Sequence, residues 1–319
     1  MRAQLESVPA SEREKKEMTR SAVSRLIVMV ALMAIWTLGC ATTKEYADFA
    51  TTGVAYTKTL DAFLEKSDTT AIANSSEYLL VLRKRTLAEG QKQLPTELTQ
   101  QLKDSLTTWN ELNKKRHSQF QKLREQLGVM TLYFTRLNDL ATSKAPEQIQ
   151  QSMGGIVTKL NGLGVNLMGE PGFQDIFNKV TTLAVNSVIR SMLRQELEAH
   201  QRDILTALTI QERMLERFGK ELQENLEAIR KNRADRLASQ YTASAPITDP
   251  DGWVANRAAL ITWPDSVAEL QKAGGSAKKV REAFESLLKG ELTWDKINDI
   301  LVELDSLLKA TATYVKARG

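Results

Sequence analysis

Residues 96–142 read TELTQQLKDSLTTWNELNKKRHSQFQKLREQLGVMTLYFTRLNDLAT. Apolar side chains fall at Leu98, Leu102, Leu106, Trp109 and Leu112, then at Phe120, Leu123, Leu127, Met130, Phe134, Leu137 and Ala141. Steps of three and four put them on one face of an α-helix. Pro95 precedes the run, no proline interrupts it, and Gly128 is its one internal weak point. A helix of this length rises about 70 Å. Its spacing is that of a coiled-coil seam, so it calls for a second long helix to cover it.

That second helix is predicted downstream. After Pro171 and Gly172 a stripe runs from Phe173 and Phe177 through Val180, Ala184 and Val188 to Leu226 and Ile229, ending near Ser239. Its far half, from Glu212 to Arg236, interleaves acidic and basic residues as a solvated helix surface does. Between the two stripes lies Met153–Gly172, which holds six of the chain's 16 glycines and few charges. Two readings stand for it: a helical hairpin end where glycines permit close backbone approach, or a tip that enters a bilayer with small residues at its helix contacts.

Outside this centre, residues 40–94 carry helical spacing at Tyr46, Phe49, Ala50, Val54, Leu60, Phe63 and Leu64, with a polar stretch, Ser67–Ser76, expected to interrupt it. Residues 241–319 read as a smaller helical unit. Asp249-Pro250-Asp251-Gly252 there is expected to be a turn at a helix start rather than a calcium loop, since the closing Glu of such a loop is missing. Gly274-Gly275 is expected to end one helix, and Gly290 another. Trp253, Trp263 and Trp294 sit at helix starts, as packing anchors. The fold class is therefore all-α: an elongated helical bundle with long coiled-coil-like helices (95–240), an N-terminal arm (40–94) and a C-terminal unit (241–319).

Composition narrows the chemistry. The chain is poor in aromatics, and its formal charge of +4 divides into +2 in residues 1–39 and +2 in the remaining 280. So even a balance gives no support for a nucleic-acid footprint, and Arg83-Lys84-Arg85 and Lys114-Lys115-Arg116 read as solvated helix faces. No HExxH, GxSxG, CxxC or phosphate-cradling glycine loop occurs. Only His117 and His200 could form a histidine pair, and a simple hairpin folded near residue 158 would set them at similar heights. Polar residues at such a seam more commonly fix register. The expectation is no catalytic residue, no metal, no cofactor and no small-molecule substrate.

The N-terminus carries an address. Leu26–Gly39, LIVMVALMAIWTLG, is uncharged and short for a membrane span, with Arg20 and Arg25 before it and Cys40, the chain's single cysteine, after it. Met18 makes a better start than Met1, so residues 1–17 are expected to be an extension and 18–39 a signal peptide. This stretch resembles a bacterial lipoprotein signal: Gly39 and Cys40 match the lipobox, while Thr37 and Leu38 stand in nearly the reverse of the usual order. The resemblance implies a diacylglyceryl thioether on Cys40, loss of residues 18–39, and N-acylation by a fatty chain such as palmitate. Ala41 after the cysteine implies the outer membrane, with the protein facing the periplasm. Two other readings of the same residues are an ordinary signal-peptidase site at Gly39-Cys40-Ala41, and an uncleaved inner-membrane signal anchor over Leu26–Thr43.

The function expected from the sequence is non-catalytic: a membrane-anchored periplasmic lipoprotein that binds or scaffolds a protein partner, or self-associates, through its long helices. The alternative is a membrane-active, pore-forming-like protein inserting residues 153–193.

Overall fold

The computed structural model describes residues 10–87, 95–142, 146–168, 179–185, 191–244, 246–263, 270 and 273–318, with side-chain surroundings from Thr43 onward. Among these residues there are seven helices and no strand, so the chain is all-α. The helices are α1 (Ala10–Leu87), α2 (Thr96–Thr142), α3 (Pro146–Met168), α4 (Ser191–Thr242), α5 (Pro250–Ile261), α6 (Ala273–Lys289) and α7 (Trp294–Arg318).

Three long helices set the axis. α2 runs antiparallel to α1, as successive contacts show: Arg124 on Asp61, Thr131 on Thr57, and Phe134 against Gly53. α4 runs parallel to α1, pairing Tyr56 with Gln211, Asn74 with Asn225, and Lys84 with Ser239. From Thr43 to Leu87 the first helix alone rises about 65 Å. The fold is elongated.

At one end, the base, three more helices thicken this trio. α3 climbs beside α2 and α4, burying Met153, Val157, Leu160 and Leu167. α6 descends antiparallel to α4, with Arg281 on Glu212, and seats Phe284 5.8 Å from Phe49. α7 turns back up along α1 and α6. The turn between them is built by Gly290 at φ 70°: its N–H bonds Leu287 O, and Glu291 N–H bonds Ser286 O. These two bonds close the helix end in a left-handed glycine cap, as only a residue without Cβ adopts readily. Residues from α1, α2, α3, α4, α6 and α7 share one contiguous buried core. The segments expected as arm, bundle and C-terminal unit thus share one apolar interior.

At the other end, the stem, α1 from Thr70, α2 up to Gln119 and α4 from Ile229 continue among the described residues, with α5 alongside and touched in turn by α7. There Trp253 Nε1 donates to Leu237 O at 3.2 Å. No residue of α2 is buried before Phe120.

Several sequence expectations are corrected. Ser67–Ser76 does not interrupt α1: Ser67, Thr70 and Ser76 hydroxyls bond the carbonyls of Phe63, Lys66 and Ile72. Hydroxyls satisfied four residues back leave the helix ladder intact. The stripe from Phe173 is not one helix, since residues 180–185 are irregular and α4 begins only at Ser191. Leu183 N–H donates instead to Gln201 Oε1 at 2.8 Å, which ties this segment to the side of α4. Phe173, Phe177 and Val188 lie outside the described residues.

The glycines also act elsewhere than expected. A Cβ on Gly154, Gly155 or Gly162 would meet open space, so these do not mediate close approach. Gly53 does: a Cβ there would lie 2.6 Å from the Phe134 ring. Gly274 does too, at 2.9 Å from the Glu216 backbone, and with Gly275 it opens α6 rather than ending a helix. Trp263 is buried as an anchor, but Trp294 is 61% exposed, with the Lys44 ammonium 5.8 Å from its ring centre.

Candidate functional site

In the interior of the base, polar groups are costly unless paired. Tyr56 OH donates to Gln211 Oε1 at 2.9 Å, and Gln211 Nε2 donates to Gln126 Oε1 at 3.4 Å. Both glutamines are fully buried. This chain of bonds crosses α1, α4 and α2 at one level, so sliding any helix by a turn would strand buried amides. It reads as a register lock. The sequence shows no sign of it, because glutamine is equally at home on the solvated face of a long helix.

Lower in the base, Glu196 is 2% exposed and its Oε1 has no hydrogen-bond partner among the described residues. Burial pushes its carboxyl up to about 7. His200 Nε2 lies 3.9 Å from Glu196 Oε2, and burial lowers the imidazole's pKa, against the opposing pull of Asp203. Tyr133, also buried and unpaired at its hydroxyl, is raised well above the ordinary phenol range by burial and then by the charge of Glu196.

The two histidines do not meet. His117 Nδ1 sits 2.5 Å from Asp68 Oδ2. Its neighbours on α2 face residues well up α4: Arg116 faces Glu221 at 3.7 Å, and Phe120 packs on Phe218 with ring centres 4.3 Å apart. His200 is therefore some twenty residues lower on α4, about 30 Å away. The reason is topological. α3 and the segment after it take up the chain that a simple hairpin would have used for α4. Among the described residues no three His, Cys, Asp or Glu side chains gather to hold a metal. The Asp249–Gly252 stretch is a helix start: Asp249 Oδ1 accepts Gly252 N–H at 2.9 Å, with Pro250 in the first turn.

The stem offers a different kind of site. Between α1 and α2 lies a groove of about 500 Å³, walled by Leu79, Leu80, Leu102 and Leu106 and edged by Arg83 and Lys103. Ser76 and Thr99 complete the lining, and no carboxylate is part of it. Leu80 is 48% and Leu106 49% exposed, and Leu112, two turns further along α2, is 47% exposed. Arg83 and Lys103 form no ion pair among the described residues. The nearest buried acid on α1, Glu77, is already shared by Arg233 and Arg236 at 3.2 and 3.5 Å. The sequence stripe passes through these leucines. It could not tell that, among the described residues, no third helix covers them.

Charge separates along the same axis. The three stem segments, 70–87, 96–119 and 229–242, hold 11 Lys or Arg against five Asp or Glu. The rest of residues 40–319 then carries a net −4, so the near-neutral total conceals a basic end.

Cys40 lies within α1 at the base end, outside the residues with described side chains. Among the residues so described no helix is long and apolar enough to cross a membrane; Leu26–Thr43 lies almost wholly outside them. Compared with known protein families, curated proteins and solved structures, the chain matches none.

Proposed function

We propose that this chain is a membrane-tethered, non-catalytic binding or scaffolding protein of the bacterial envelope, held by lipid on Cys40 at the outer membrane and facing the periplasm. One geometric observation carries the reading. A single helix, α1, passes Cys40 at the base and ends at the apolar groove, so Leu80 lies 40 residues, about 60 Å, beyond the proposed tether. The thick base has the build of a footing, and the thin stem holds the leucine-walled groove between α1 and α2. Several acyl chains, at about 0.8 kcal/mol per buried methylene, would keep the base in place.

The test is labelling of growing cells with a fatty-acid analogue, in wild type and Cys40→Ser. Label on wild type alone, with the variant moving to the soluble fraction, is the expected result. Unlabelled wild type in the soluble fraction would overturn the tether. An uncleaved anchor over Leu26–Thr43 has one observation in its favour, the unbroken course of α1 from Ala10 through Cys40. It predicts unlabelled protein that stays in the membrane and keeps its leader, as the intact mass would reveal. Packing weighs against an inserting element at 153–193, because α3 already spends its apolar face on α2 and α4.

A further inference from the structure

We infer that the stem groove docks an amphipathic helix of a partner protein whose apolar stripe is flanked by acidic residues. This rests on the proposed binding role of the groove and names its occupant. The shape argues first. Two long helices side by side leave a concave trough with leucines on both walls, Leu79 and Leu80 from α1, Leu102 and Leu106 from α2. A third helix, about 10 Å across, fits such a trough by ridges in grooves. A flat bilayer would meet the rim before the leucines.

Charge argues second. The groove edge carries Arg83 and Lys103, both without an ion-pair partner among the described residues, and no carboxylate among its lining. The three stem segments as a whole hold 11 Lys or Arg against five Asp or Glu, a net +6. A second copy presenting the same end would bring like charge to like charge, which disfavours tip-to-tip pairing. Nucleic acid would use the cations and leave the leucines exposed. An acidic-edged helix satisfies both features.

The test uses the full chain in detergent and three synthetic helical peptides with the same leucine stripe, one flanked by Glu, one by Lys and one scrambled. Calorimetry or anisotropy is expected to show binding of the Glu-flanked peptide, weakened at high salt. Arg83→Glu with Lys103→Glu should reduce that binding about tenfold and confer binding on the Lys-flanked peptide. Leu80→Asp with Leu106→Asp should abolish both. All four positions are solvent-facing, and unchanged melting would confirm that the variants fold. Equal binding of Glu- and Lys-flanked peptides, no binding of either, or binding of anionic vesicles or duplex DNA that is lost in the same variants would overturn the inference. So would a concentration-dependent dimer abolished by the leucine changes. None of these results alters fatty-acid labelling at Cys40. A failed groove and a failed tether are therefore distinguishable.

Discussion

The base and the stem are made from the same helices and hold together differently. In the base, α1 and α2 each bury a broad face in the common core, although Leu132 on the outer face of α2 stays 54% exposed. Phe49, Phe134 and Phe284 meet there with ring centres 5.7 and 5.8 Å apart, all fully buried. In the stem, the same two helices touch through Tyr78 on Trp109, at 5.5 Å, and Asn113 on Ser75, at 2.8 Å, with leucines left at the surface. Burial of large side chains drives stability. The base holds most of the buried apolar surface, and under the proposed role the stem is the part that binds.

The sharpest way to break this contrast is a matched pair of truncations. Phe134→Ala should cost about 3–5 kcal/mol, the range for emptying a buried aromatic site. Leu106→Ala on the same helix should cost no more than about 0.5 kcal/mol. Denaturant melts of the two variants check this, and equal losses would dissolve the distinction between base and stem.

A somewhat smaller effect is pH-dependent. The Glu196 carboxyl, held near 7 in the folded chain against an ordinary value of 4.5, favours its protonated form in the fold. The folded state then binds more protons than the unfolded state between those values, so stability falls as pH rises through that window and the penalty is complete above it. Glu196→Gln removes the cost of charging. The variant should exceed wild type by up to about 3 kcal/mol at pH 8 and match it below pH 4.5. Thermal melts across that range would show a converging pair of curves. Parallel curves would mean the carboxylate finds solvent in the base. His200 pulls the other way: its lowered pKa makes acid destabilising below about 6.5, so the titration is best read in a His200→Gln background.

The smallest effect is local. Amides of α2 before Phe120 should exchange with solvent faster than those from Leu123 to Leu140, since opening the stem exposes little apolar surface. A bound acidic-edged helix should slow exchange around Leu80 and Leu106 and leave the base unchanged.

The sequence alone determined that the chain is helical and long. Period, length and lack of breakers are local properties, so Thr96–Thr142 is the helix its spacing predicts, to the residue. The apolar run ending at Cys40 is likewise a matter of composition. Tertiary structure alone decided which parts of each stripe are covered. Leu98–Leu112 and Phe120–Ala141 look alike as sequence, but α3 packs beside the second, and α6 and α7 thicken the same end against α4 and α1. The polar run of α1 stayed helical because its hydroxyls could bond backward and its other face packed. The histidines stayed apart because a third helix took the chain between them. The physical reason is common to all of these: periodicity shows which face a helix offers, and only the other helices can accept it.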